Sequence, residues 1–110
     1  FNLTSGNQIR DFVYIDDLIT GLYKILKSKK TFGKSINLAS GKPISVRQIV
    51  NQINLNIGAG KPKFSKINKR KYENNSIYAD LNNNKLIKWK AKISLKKGLL
   101  KTIKYYSYHA

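Results

Sequence analysis

The chain has 110 residues, no cysteine, and a formal net charge of +17 from 22 basic and 5 acidic residues. This length corresponds to one small domain, and the lack of cysteine excludes a disulfide framework or a thiolate metal site. The hydrophobic content of 41% is enough for a packed core, and no apolar stretch reaches the length of a membrane span.

The first third of the chain predicts two strands with a helix between them. Arg10–Ile15 is rich in β-branched and aromatic residues, which favours a short strand. Asp16 or Asp17 is then positioned to cap a helix that runs to about Lys27 with its apolar residues on one face. After a polar turn, Ser35–Ala39 predicts a second short strand.

The middle of the chain predicts one well-defined helix and an irregular segment. Ser45 and Gln48 have the spacing of a capping box, in which each side chain bonds the backbone N–H of the other residue. The helix that follows is expected to stop near Gly58. The polar segment after it contains one candidate strand, Lys63–Ile67.

The last third predicts two further helices. Asp80 is positioned to cap the first of them, and Ser94 the second, because both side chains accept hydrogen bonds from orphan backbone N–H groups. Strands and helices therefore alternate along the chain. This order predicts an α/β fold that is mostly helical with short strands.

The positive charge raises the question of a nucleic-acid partner. Only three of the 22 basic residues are arginine, the residue that base readout and bidentate phosphate contacts favour. The lysines are spread along a chain that is also rich in Asn and Ile, as expected of an AT-rich genome. We interpret most of the charge as lysine drift. The alternative is a basic nucleic-acid-binding module, with Lys61–Lys71 and Phe64 as a strip for single-stranded RNA.

Several short motifs do not meet the requirements of the functional patterns that they suggest. The Gly-x-Gly at position 58 has Lys63 where a dinucleotide loop needs a third small residue. The only histidine, His109, lies beside the C-terminus, and no His, Asp and Glu set with metal spacing is present. Tyr23 and Lys27 lie one helical turn apart, as in a proton relay, but a chain so rich in Tyr and Lys is expected to contain such a pair by chance.

Seven segments in a fixed order carry a stronger signal. They are Gln8–Leu18 (QIRDFVYIDDL), Asn37–Lys42 (NLASGK), Ile44–Val46, Arg70-x-x-Glu73, Tyr78-Ala79-Asp80, Trp89 and Ser94-Leu95-x-x-Gly98-Leu99. This series covers nearly the whole chain. It resembles the C-terminal part of the extended short-chain dehydrogenase/reductases, the NAD-dependent epimerases and dehydratases of nucleotide sugars.

The resemblance implies that substrate binding and catalysis belong to two different domains. Residues 1–110 would form a single C-terminal substrate-binding lobe, with one strand and one helix docked on a Rossmann domain outside this chain. That domain binds NAD or NADP and carries the catalytic Tyr-x-x-x-Lys in this family, so we expect no catalytic, cofactor-binding or metal-binding residue here. A chain without methionine that starts at Phe1 is expected to be an excerpt. The resemblance also implies a cytoplasmic enzyme that can be a homodimer, formed through Rossmann helices.

The resemblance assigns three residues to the substrate, a UDP-, CDP- or dTDP-hexose. Arg10 and Arg70 would reach the diphosphate, which guanidinium groups bind through several N–H donors. Glu73 would accept the ribose hydroxyls, although much of the family has Asp there with Gly in the place of Tyr72. The expected function is sugar-nucleotide binding within an NAD(P)-dependent epimerase, dehydratase or 4-ketoreductase, with no catalysis by this chain alone.

Structural alternatives stay open for the charged residues. Arg10 could instead pair with Asp11 or Asp17, and Arg70 and Glu73 could be solvated charges of a basic loop. The remaining acids are interpreted as caps and structural anchors; they are Asp11, Asp16, Asp17 and Asp80.

Overall fold

The computed structural model describes residues 1–109 and contains three helices and one small sheet. The α-helices are α1 (Ile15–Lys27), α2 (Val46–Ile57) and α3 (Leu95–His109), and two 3-10 turns cover Lys29–Thr31 and Asn82–Leu86. Strands β1 (Ile9–Arg10) and β2 (Ile44–Ser45) pair antiparallel, with Ile9 opposite Ser45. The expected lobe, mostly helical with short strands, is confirmed.

The start of α1 differs from the prediction. The predicted strand Arg10–Ile15 is wrong, because the ladder with β2 ends at Arg10. In the antiparallel register Asp11 would lie opposite Pro43, and proline has no backbone N–H to continue a ladder. The helix then starts at Ile15 behind Tyr14, an extended N-cap residue whose side chain makes no capping bond. Asp16 and Asp17 lie in the first turn and do not cap the helix.

The capping signals of the later helices are confirmed. The Ser45 Oγ accepts a hydrogen bond from the Gln48 backbone N–H at 3.2 Å, and the Gln48 Oε1 accepts one from the Ser45 N–H at 3.1 Å. Helix α2 ends at Gly58, whose φ of 70° lies in the left-handed region that glycine tolerates best. At the start of α3, the Ser94 Oγ accepts from the Lys97 N–H at 3.3 Å.

Two predicted strands lack a sheet partner within residues 1–109. Ser35–Ala39 pairs with no other segment there, and Lys63–Ile67 is reduced to one parallel bridge between Lys63 and Asn2. A strand needs a partner for its backbone N–H and C=O groups. Composition alone therefore overestimated the strand content.

A short turn takes the place of the helix predicted after Asp80. The Asp80 Oδ1 accepts from the Asn82 N–H at 2.9 Å, and only the 3-10 turn Asn82–Leu86 follows. This turn brings Ile87 and Trp89 into the interior, where each is 6% exposed; the other buried hydrophobic residue is Ile49 of α2. Within residues 1–109, none of the helices combines the length and apolarity needed to cross a membrane.

Candidate functional site

Backbone pairing brings the two halves of the candidate site together. The Ile9 N–H donates to the Asn75 carbonyl at 2.8 Å, and the Ile77 N–H donates to the Ile9 carbonyl at 3.0 Å. Gln8 and Arg10 flank Ile9 in extended backbone, where alternate side chains point to the same side. Both side chains therefore approach the segment that contains the predicted acid.

The Glu73 carboxylate lies between these two side chains. The Arg10 Nη2 is 3.4 Å from Glu73 Oε1 and donates to the Asn74 carbonyl at 3.0 Å. The Gln8 Nε2 donates to Glu73 Oε2 at 3.2 Å. The Arg10 and Glu73 side chains are 24% and 25% exposed. The alternative that Arg10 pairs with Asp11 is not what the structure shows.

Arg70 lies one tight turn before the acid. The Glu73 N–H donates to the Arg70 carbonyl at 3.1 Å, which fixes the backbone spacing of the two residues. The Arg70 side chain is exposed, and within residues 1–109 it makes no hydrogen bond or ion pair. Its guanidinium group therefore keeps all of its N–H donors for a ligand.

The third arginine, Arg47, has a structural role that the sequence did not predict. Its Nε and Nη2 donate to the Ser5 carbonyl at 3.0 and 2.6 Å. Its guanidinium carbon lies 4.0 Å from the centre of the Phe64 ring, a cation–π contact. One face of the Phe64 ring is thus covered by Arg47 and is not open to stacking on a base, which weakens the hypothesis of an RNA-binding strip.

Asp11 and Asp16 act as anchors, as predicted. Asp11 Oδ1 accepts from the Ser40 N–H and Asp11 Oδ2 from the Gly41 N–H, both at 2.9 Å. Asp16 Oδ2 accepts from the Lys101 ammonium at 3.0 Å. This hydrogen bond raises the pKa of Lys101 above its usual value, because the carboxylate stabilises the charged form of the lysine.

Asp17 is the most deeply buried of the acids at 5% exposure. Its Oδ2 accepts from the backbone N–H groups of Lys92 at 3.0 Å and Ile93 at 2.7 Å. Its carbonyl oxygen accepts from the Trp89 indole N–H at 3.1 Å. Asp17 thus ties α1 to the segment that leads into α3.

The Tyr23 and Lys27 pair has the geometry of a surface contact. The Lys27 ammonium lies over the ring of Tyr23, 4.4 Å from the ring centre, as in a cation–π pair. A proton relay needs the ammonium beside the phenol oxygen instead.

The second isolated candidate, His109, stacks on Tyr105 with 4.2 Å between the ring centres. No cluster of potential metal ligands occurs among the described residues.

Helix α1 has one face that the chain leaves uncovered. Its inner side packs so tightly that a Cβ on Gly21 would lie 2.7 Å from Leu38 Cδ2 and 3.0 Å from Trp89 Cε2. Another side carries four apolar residues, spaced i, i+4, i+7 and i+11, that are between 49% and 82% exposed; we name this set the α1 ridge, and it comprises Ile15, Ile19, Leu22 and Leu26. A continuous apolar ridge of this kind is typical of a surface that packs against another domain.

Comparison with known proteins places this geometry in a family. No protein-family model matches the chain. The chain is 38% identical over 103 residues to the UDP-glucuronate 4-epimerase of Thermodesulfobacterium geofontis, a match that covers 91% of this chain and 31% of that protein. It is 32% identical over 101 residues to a putative UDP-glucose 4-epimerase of Methanocaldococcus jannaschii, covering 91% of this chain and 32% of that protein.

A solved structure of the same kind of enzyme also resembles this chain. The UDP-glucuronic acid 4-epimerase of Bacillus cereus, in complex with UDP-glucuronic acid and NAD, superposes with a TM-score of 0.86. The two proteins are 26% identical, and the match covers 99% of this chain and 35% of that one. The chain corresponds to the C-terminal part of the extended short-chain dehydrogenase/reductases. This lobe of the short-chain dehydrogenase/reductase fold spans about a third of the length of the curated relatives that it matches.

Two features of this lobe were missed by reasoning from the sequence. One is the contact of Gln8 with Glu73, for which the only local signal was the spacing Gln8-x-Arg10 at the start of the predicted strand Arg10–Ile15. The other is the fixing of the N-terminal segment by Arg47. The rarity of arginine in the chain was a signal for Arg47 that the sequence analysis did not use.

Proposed function

We propose that the chain forms the sugar-nucleotide-binding lobe of an NAD(P)-dependent nucleotide-sugar epimerase, dehydratase or 4-ketoreductase. The observation that carries the proposal is the pair of Arg10 and Glu73 with the exposed guanidinium of Arg70 one turn away. A nucleoside diphosphate presents an anionic diphosphate next to ribose hydroxyl donors. A ligand of this kind requires cations and a hydrogen-bond acceptor side by side.

The two arginines differ in how many N–H donors they have left for the diphosphate. Arg10 already donates to the Ile9 carbonyl at 2.7 Å, to Glu73, and to the Asn74 carbonyl. A guanidinium group has five N–H donors, so Arg10 keeps about two for a ligand, while Arg70 keeps all five. Arg70 is therefore the main contact of the diphosphate in this proposal, and Arg10 is a second contact that also holds Glu73.

Glu73 is suited to the ribose. Each carboxylate oxygen accepts one internal donor, Arg10 on Oε1 and Gln8 on Oε2. An ionised carboxylate has about four acceptor sites, so about two remain for two hydroxyl groups. The expected ligands are UDP-, CDP- and dTDP-hexoses, and the relatives described above are named for UDP sugars.

The same proposal assigns the chain to one side of a two-domain enzyme. The α1 ridge and the unpaired segment Ser35–Ala39 pack in this proposal on a Rossmann domain that binds NAD or NADP outside this chain. The uncovered apolar side chains of the ridge support this arrangement. Nicotinamide exchanges a hydride with the sugar C4 in such enzymes. The role of this chain is to hold the sugar nucleotide in a reactive orientation.

Replacing Arg70 by alanine tests the proposal in the complete protein that contains this chain. We expect the affinity for UDP to fall roughly ten- to hundredfold, because charge-assisted hydrogen bonds to a phosphate contribute about 1.5–3 kcal/mol. The affinity for NAD should stay unchanged, because in this proposal NAD binds to a domain outside this chain and Arg70 contacts only the sugar nucleotide. Isothermal titration calorimetry with each ligand measures both values.

The neighbouring Lys71 supplies the matched control. Lys71→Ala removes one positive charge from the same exposed turn and should change UDP affinity less than threefold, as expected of a screened surface charge. Equal losses for the two variants, or a loss of NAD affinity alone, would contradict the assignment of Arg70. Tight, steeply salt-dependent binding of random-sequence RNA would instead support the nucleic-acid-binding alternative.

A further inference from the structure

We propose that Gln8 is a positioning residue that orients the Glu73 carboxylate for the ribose, and that it thereby sets a preference for nucleotides with free 2′ and 3′ hydroxyls. The inference rests on the proposed function, because it names how that site recognises the sugar of the nucleotide. Neither the family resemblance nor the relatives assign a role to Gln8.

The orientation of the Gln8 amide is the first observation. Gln8 is 5% exposed, and its Nε2 donates to Glu73 Oε2 at 3.2 Å and to Thr4 Oγ1 at 3.1 Å. Its Oε1 is buried without a hydrogen-bond partner. An ionised carboxylate can only accept hydrogen bonds, so the amide must turn its N–H groups toward Glu73, although this leaves the oxygen unsatisfied.

An unsatisfied buried oxygen is uncommon in folded proteins and calls for a reason. A glutamine needed only for packing could be replaced by an apolar side chain of similar volume without that penalty. The arrangement therefore indicates that the hydrogen bond to Glu73 is what the site needs from Gln8.

The anchoring of Gln8 is the second observation. Its carbonyl oxygen accepts from the Val46 N–H at the start of α2, at 2.9 Å, so the residue is held on both its backbone and its side chain. Glu73 follows an exposed turn that begins at Arg70. Gln8 thus connects the Glu73 carboxylate to the start of α2.

Two donors fix the plane of the carboxylate. Arg10 contacts Oε1 at 3.4 Å and Gln8 contacts Oε2 at 3.2 Å, so rotation about the last bond of Glu73 would break at least one contact. With Arg10 alone the carboxylate can turn about that bond. The remaining acceptor sites would then no longer face two neighbouring hydroxyls together, and recognition of the ribose would weaken while recognition of the diphosphate persists.

The test compares two ligands in the complete protein that contains this chain. We expect the wild type to bind UDP at least tenfold more tightly than 2′,3′-dideoxy-UDP, a ratio typical of two hydroxyl hydrogen bonds. In Gln8→Met, which keeps the side-chain volume, the ratio should fall toward one because UDP affinity drops. Affinity for the dideoxy ligand and for NAD should change less than twofold. Gln52→Met on α2 is the matched control and should keep the wild-type ratio.

Two further variants separate positioning from a general structural role. Thr4→Val removes the other partner of Gln8 without touching Glu73, and it should keep the ratio. If Gln8→Met does not fold, Gln8→Asn is the substitute; it keeps an amide at this buried position but is one methylene too short to reach Glu73, so the ratio should fall as well.

The outcomes distinguish this inference from the proposed function. If the wild type prefers UDP and the Gln8 variants show the same preference, Gln8 has no positioning role and the proposed function stands. A wild type that binds nucleoside diphosphates without regard to the hydroxyls overturns the role of Gln8 and the assignment of Glu73 to the ribose, whereas binding of the diphosphate by the arginines stands. A wild type that retains NAD but binds none of UDP, CDP and dTDP overturns both.

Discussion

Replacing Asp17 by alanine is expected to lower the free energy of unfolding by about 3 kcal/mol. The substitution leaves the backbone N–H groups of Lys92 and Ile93 without their acceptor at a buried position. Each unsatisfied buried N–H costs roughly 1–3 kcal/mol. The start of α3 would also lose its connection to α1.

Urea unfolding followed by the fluorescence of Trp89 measures this effect directly. Trp89 is the only tryptophan of the chain, it is buried, and its indole N–H contacts the Asp17 carbonyl. Asp17→Asn should lose less stability than Asp17→Ala, because both N–H groups donate to the same oxygen, Oδ2, and an amide oxygen in its place still accepts two hydrogen bonds. Asp16→Ala is the matched control from the same helical turn; its carboxylate is more than half exposed, so little change is expected. Equal destabilisation by Asp16→Ala and Asp17→Ala would show that the buried contacts are not responsible.

Introducing Leu22→Asp on the α1 ridge is expected to have opposite outcomes in two contexts. In the 110-residue chain alone, Leu22 is 49% exposed, so the charge should be tolerated and should improve solubility. In a complete protein with the proposed Rossmann domain the same carboxylate would be buried against that domain, with an expected loss of about 3 kcal/mol or more in the free energy of unfolding. The melting temperature and the NAD affinity of the complete protein should both fall.

Tyr23→Asp provides the comparison, because this neighbouring residue is also exposed but lies outside the ridge. It should be tolerated in both contexts. A complete protein that tolerates Leu22→Asp as well as Tyr23→Asp would refute the docking of the ridge on a second domain.

Structure that is determined by residues close in sequence was predictable here. The capping box of Ser45 and Gln48 and the stop at Gly58 each depend on a few neighbouring residues, and both are present in the structure. The cap at Ser94 is of the same kind. Such signals work because the orphan N–H and C=O groups of a helix end are satisfied locally.

Structure that depends on distant partners was not predictable in the same way. Ser35–Ala39 has the composition of a strand, yet within residues 1–109 it pairs with no other strand. The ladder of β1 stops at Arg10, where the next residue opposite in the register would be Pro43, which has no backbone N–H. The sequence of Arg10–Ile15 alone does not reveal this limit.

The candidate site depends even more strongly on residues that are distant in sequence. Its residues came from the family resemblance, and no local pattern specifies that Arg10 contacts an acid 63 positions away. The structure supplies the contact between Arg10 and Glu73, whereas the roles of Arg10, Arg70 and Glu73 toward a ligand stay predictions.

The large sequence separation of the Asp17 and Gln8 contacts affects how this lobe folds during its synthesis. Asp17 bonds backbone groups 75 and 76 residues further along, and Gln8 bonds a side chain 65 residues away. Contacts so distant in sequence form slowly. During synthesis on the ribosome, the inner side of α1 therefore lacks its contacts with Trp89 and the segment before α3 until most of the lobe has emerged, a state in which nascent chains are prone to aggregate. A ribosome that stalls before residue 92 would release a chain with neither of the Asp17 hydrogen bonds that fasten its first helix to its last.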